Sequence, residues 1–151
     1  MSSIKNFSMF KKCLSFLDVA KEFLIKYLTE DILKSIDLKT LLFYQSNDEL
    51  LEIIYFAKSN KNTAKNIYIL IQYLPQLDSY SSVRACLSVE RIMAEHVFKN
   101  KNIYYPEIYV LGFYNGDEND PERRNFIEIN EDVIDNSAFA REILFGTHLV
   151  N

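Results

Sequence analysis

Apolar positions along the first part of the chain recur at intervals of three and four residues. Phe10, Leu14, Leu17, Ala20, Phe23, Leu24, Tyr27 and Leu28 share one face of a 3.6-residue turn, which predicts one helix or two consecutive helices with a buried stripe. Thr29 precedes Glu30 and Asp31, an N-cap followed by first-turn acids, so a short further helix through Ile36 is expected. The rhythm then changes. Residues 41–44, 53–57 and 67–73 are short runs rich in β-branched and aromatic side chains, divided by the polar segments QSNDE and KSNKNTAKN, and they read as three strands joined by turns. Ser79, Ser81 and Ser82 can cap a helix over residues 83–98, whose expected apolar face holds Val83, Cys86, Val89, Met93 and Val97. Residues 108–114 follow Pro106 and run into Asn115 and Gly116, a fourth strand ending in a turn signal. Residues 117–124 form a charged loop around Pro121, and a last short helix over 138–145 is expected to stop at Gly146. The predicted order is helix, three strands, helix, strand, helix.

At 151 residues and 48% hydrophobic, the chain can bury one core, and a single domain over residues 1–151 is expected. No apolar run approaches the roughly 20 residues that cross a bilayer. The opening MSSIKNFSMFKK lacks a signal peptide's order of charge, apolar stretch and cleavage site, so a cytoplasmic protein without a membrane partner is expected. Cys13 and Cys86 lie within apolar helical patterns and outside any C-x-x-C spacing; both are expected to be buried structural thiols. The net charge of −4 is uneven: residues 1–116 carry 14 basic and 12 acidic side chains, residues 117–151 carry 3 and 9. The acidic end opposes strong DNA affinity for the whole chain and leaves a basic patch open to the first part. Abundant Lys, Asn, Ile and Tyr suit a bacterium with an AT-rich genome.

The strand expected at Ile67–Pro75, IYILIQYLP, carries Gln72 and Leu74 two residues apart, and the preceding strand opens on Glu52. Alternate residues of a strand share a face, so paired polar positions there would point together at anything supplied by the neighbouring strand. The αβββαβ order resembles the core of the PD-(D/E)XK nuclease superfamily. That resemblance implies an α/β (α+β) restriction-endonuclease-like fold, a mixed four-stranded sheet flanked by helices. It also implies a Mg2+ site built from a carboxylate on the second strand and an acid-x-Lys pair on the third, in which the metal activates water against a phosphodiester. Within the superfamily the chain resembles the recombination-promoting nuclease family, the YhgA-like putative transposases. The segments that carry the likeness are FKKCLSFLDVAKEFLIKYLTEDILKSIDLKTL from Phe10, then Arg84, Arg91 and His96 in the helix after the third strand, PEIYVLGFYNG from Pro106, and DNSAFAREILFGTHLV at the end.

The departures from that family fall on the chemistry. Asn6 and Phe7 stand where the family has a His-Asp pair, Glu52 replaces an aspartate, and Gln72 and Leu74 stand where it has an acid and a glutamine. A unit charge pair near 4 Å is worth about 4 kcal/mol at an effective dielectric near 20, so losing one carboxylate weakens metal binding by orders of magnitude. The resemblance thus implies a DNA endonuclease or transposase of mobile-element type, impaired in catalysis, with Glu52 and Gln72 as its motif positions, Glu52 as a metal ligand, and Mg2+ as cofactor if active. Family members continue further, so truncation at the C-terminal end is expected. Two other readings stand beside it: an interaction or regulatory protein that forms a homodimer or pairs with an intact relative, and a DNA-binding remnant without a metal. Plainer roles also remain for the residues concerned: Glu52 as a solvated acid at a strand start, Gln72 as a hydrogen-bonded amide, His96 and His148 as structural side chains. Lys58, Lys61 and Lys65 then serve solubility, and the aromatic residues pack the core.

Overall fold

The computed structural model describes residues 3–62, 65–74, 81–99, 106–114 and 148–150. The expected helical stripe forms two helices, α1 (Ser3–Leu14) and α2 (Leu17–Tyr27). Phe16 is extended between them, so the stripe turns a corner where the chain changes direction. Leu14, Ala20, Leu24 and Leu28 are buried, and Phe10, Leu17, Phe23 and Tyr27 pack beside them. Thr29 precedes α3 (Glu30–Ser35) in N-cap backbone conformation but makes no side-chain cap bond, so the first-turn acids Glu30 and Asp31 are what complement the helix dipole.

Among the described residues five strands follow, β1 (Ile36–Asn47), β2 (Glu52–Ser59), β3 (Asn66–Leu74), β4 (Glu107–Tyr114) and β5 (His148–Val150), with α4 (Ser81–Lys99) between β3 and β4. They lie in one sheet in chain order: β1, β2 and β3 are antiparallel neighbours, while β3–β4 and β4–β5 are parallel. The α+β class and the mixed sheet β1–β4 agree with the sequence reading. The sheet gains a short fifth strand at His148–Val150 that hydropathy did not announce. The first strand is also far longer than residues 41–44. It runs as an irregular edge with register shifts between Asp37 and Leu42 and between Phe43 and Gln45, and only its middle has a clear apolar run.

Strand alternation divides the core into two layers. Ile53, Tyr55, Ile69, Ile71, Tyr109 and Leu111 face α1–α3, while Ile54, Tyr68, Leu70, Ile108 and Val110 face α4. β3 is buried along all nine residues, as a central strand covered on both sides must be, and this accounts for its continuous apolar run. Phe10, Phe23, Tyr73 and Phe113 meet with ring centroids 4.8–5.9 Å apart, so these aromatic side chains do pack the core.

Two expectations are corrected. The buried face of α4 is Ala85, Ser88, Val89, Ile92 and His96, while Val83 and Val97 are exposed and Cys86 and Met93 lie at the margin. Counting apolar residues alone rotated the face away from Ser88 and His96, which are polar yet buried. Cys13 is exposed because the α1 face that packs is set by Phe7, Phe10 and Leu14, and Cys86 is half-buried at the margin of the α4 face that packs. The charged loop at 117–124 and the helix expected at 138–145 lie outside the described residues. No helix among the described residues is long and apolar enough to cross a membrane.

Candidate functional site

The turn from β1 to β2 sets the position of Glu52. Asn47 Oδ1 accepts the backbone N–H groups of Glu49 and Leu50, each at 2.9 Å, and so closes the turn with its own side chain. Leu51 then takes φ 54°, a left-handed conformation costing a residue with a Cβ about 1–2 kcal/mol. Its carbonyl accepts the Tyr73 N–H at 2.8 Å, which ties the strained residue to β3. The register that results places Glu52 directly opposite Gln72.

Glu52 and Gln72 therefore share the sheet face that carries Ile54 and Leu70, beneath α4. Glu52 is fully buried, and Gln72 is buried as well. Both carboxylate oxygens of Glu52 are engaged. Arg91 Nη2 donates to Oε1 at 2.5 Å, and Ser88 Oγ donates to Oε2 at 2.7 Å. Ser88 and Arg91 are three residues apart on α4, so one helix face delivers both donors to one acid. Arg91 is 34% exposed along its side chain, whereas that of Glu52 is 1% exposed. The guanidinium thus bridges a buried anion and the surface. Its Nε is buried and has no hydrogen-bond partner among the described residues, so the contact is not the two-pronged fork an arginine can make.

The strand register sets Glu52 opposite Gln72, and Glu52 is buried rather than solvated at a strand start. Ser88 does not stand out in the sequence, and Arg91 does so only through the family likeness. A serine and an arginine three apart on a helix predicted to cover the sheet were the available signal. Nothing in the sequence said which strand residue they would meet.

These residues do not fit a Mg2+ ion. The ion favours at least one or two carboxylates free to coordinate, and here a single carboxylate has both oxygens occupied by donors, one of them cationic. Among the described residues no three His, Cys, Asp or Glu side chains converge as a metal site. Farther along the same face, Tyr68 Oη and His96 Nδ1 lie 3.1 Å apart. Burial, with the neighbouring Tyr44 and Glu95 charges, pushes the Tyr68 hydroxyl up to about 12. Lys65 pairs with Glu107 at 3.1 Å, and Lys58 donates to Asn66 at 2.8 Å, so neither is simply a solvated charge.

A family model described as putative transposase, YhgA-like, matches residues 7–149. The chain belongs to this family. The match runs from within α1 to within β5, and so includes the strand pair and the helix that form the Glu52 site. No curated protein and no solved structure matches the chain. For this YhgA-like protein, what the site can do rests on its own geometry: it holds one buried negative charge, neutralised from within the fold.

Proposed function

We propose that this YhgA-like transposase-family protein is a cytoplasmic, DNA-directed domain of PD-(D/E)XK nuclease type whose catalytic site is impaired. The observation that carries this reading is the closure of Glu52: the acid at the start of β2 faces an amide on β3, and both its oxygens are held by Ser88 and Arg91. The order of elements and the acid facing the third strand support the nuclease ancestry, while the bonds to Glu52 support the loss of activity. Plasmid nicking during Mg2+ and Mn2+ titration tests it, run with the unmodified chain, Glu52→Ala, and the Gln72→Glu, Leu74→Gln double reversion. The expected result is no metal-dependent nicking by the unmodified chain above the Glu52→Ala level. Metal-dependent nicking that disappears in Glu52→Ala refutes the impairment. Retention on DNA that weakens steeply with salt supports the DNA-directed part, and absence of binding at low salt removes it.

A second reading, a regulatory protein that pairs with itself or with an intact relative, is favoured by one observation. Val83, Leu87, Val97 and Phe98 on α4 are 47, 60, 52 and 88% exposed, an apolar group on the outer side of the helix that covers the site. Light scattering tests it, and a strictly monomeric protein at high concentration counts against it.

A further inference from the structure

We propose that Arg91 is the resident cation of the Glu52 site, a guanidinium standing where a divalent ion would otherwise be held, and that it locks α4 onto the β2–β3 pair. The proposal rests on the reading that the site is impaired and adds which group pairs with the acid once the second carboxylate is gone. Three observations carry it. Charge is the first: Glu52 supplies one negative charge, Gln72 none, and Arg91 one positive charge, so these three side chains balance without any bound ion. A divalent ion added beside Arg91 would leave two uncompensated positive charges under α4.

Geometry is the second. Arg91 Nη2 donates to Glu52 Oε1 at 2.5 Å, closer than the roughly 2.7–2.9 Å usual for a charged nitrogen donor on a carboxylate, and Ser88 Oγ donates to the other oxygen at 2.7 Å. An ion at the acid would have to share its oxygens with a guanidinium and a hydroxyl donor. The third is the buried Arg91 Nε, which has no acceptor among the described residues. A guanidinium offers a fork to two acceptor atoms. Here it holds one oxygen of one acid, beside a strand position occupied by an amide.

The site is therefore latent. Removing the guanidinium and supplying the second carboxylate should open it to an ion, and neither change alone should suffice. Terbium(III) luminescence, sensitised by the chain's ten tyrosines in the absence of tryptophan, reads cation binding without DNA or catalysis. The expected result is that the unmodified chain gives no signal beyond that of Glu52→Gln. The Gln72→Glu, Arg91→Met variant should bind terbium at least tenfold tighter than the unmodified chain, Gln72→Glu, or Arg91→Met, with the gain abolished by adding Glu52→Gln. Glu52-dependent binding by the unmodified chain overturns the proposal, as does equal binding by Gln72→Glu with Arg91 retained.

Two buried carboxylates without a counter-ion can prevent folding of the double variant, so refolding is followed by circular dichroism with and without millimolar Mn2+. Folding restored by Mn2+, or a melting temperature raised by it only in the double variant, supports the proposal. A double variant that stays unfolded in Mn2+, or folds without responding to either ion, overturns it. Nicking by the unmodified chain would remove the impaired reading through a separate assay, so the two failures are distinguishable.

Discussion

Removing Arg91 should destabilise the protein more than neutralising the acid it holds. The Glu52 side chain is 1% exposed and that of Arg91 34%, so the two partners differ in what they can do when left alone. In Arg91→Met the carboxylate keeps, among the described residues, only the Ser88 hydroxyl, and its side chain is 1% exposed. Breaking a buried ion pair from one side costs about 3–5 kcal/mol, and the partly exposed arginine places this case near the lower end, about 3 kcal/mol. In Glu52→Gln the guanidinium can turn toward solvent and the new amide oxygen can still accept from Ser88. The loss is then mainly one charge-assisted bond, about 1.5 kcal/mol. The Glu52→Gln, Arg91→Met double variant strands no charge and should be more stable than Arg91→Met alone. Urea unfolding at pH 7 measures all three. For a chain of this length, about 3 kcal/mol corresponds to a fall of roughly 6–12 °C in melting temperature. Equal losses from the two single variants, or a double variant less stable than Arg91→Met, would refute the reasoning that burial of Glu52 decides the cost.

Other measurements test the surroundings. Ser88→Ala should cost about 1–2 kcal/mol in urea unfolding because it leaves one oxygen of a buried carboxylate without its donor; a loss below about 0.3 kcal/mol would show that the hydroxyl contributes nothing. The Tyr68 and Tyr109 hydroxyls are both pushed up to about 12, mainly by burial, from an ordinary value of 10. Their phenolates are therefore favoured in the unfolded chain: the stability they contribute is complete below pH 10 and is lost as pH rises from 10 toward 12. Phenolate absorbance and circular dichroism should show alkaline unfolding in that window, whereas ionisation of both residues near pH 10 in a folded chain would contradict it. Cys13 is exposed, while Cys86 is half-buried with its thiol pushed up by burial and by Glu90. A disulfide reagent should modify Cys13 at least tenfold faster in the folded protein, and equal rates would place Cys86 in solvent.

Much of the fold was legible because periodicity reports burial directly. The stripe from Phe10 to Leu28 packs as expected, and the uninterrupted apolar run of β3 belongs to a strand covered on both faces. Edges were less legible. β1 is irregular and partly exposed, so only its middle looked like a strand, and β5 joins the sheet through backbone bonds that side-chain pattern does not encode. The face of α4 was misjudged because Ser88 and His96 are buried for their hydrogen bonds rather than their hydropathy.

The sequence by itself determined that an acid opens the second strand and that an amide and an alkyl side chain stand on the third. It could not say that Glu52 is closed. That depends on the left-handed turn at Leu51 setting the register against Gln72, and on α4 crossing where Ser88 and Arg91 reach the same carboxylate. Side chains 36 and 39 residues from the acid become its partners only after the β3–α4–β4 crossover is packed. Hydrophobic pattern fixes which faces are buried, and the packed geometry fixes which polar groups meet there.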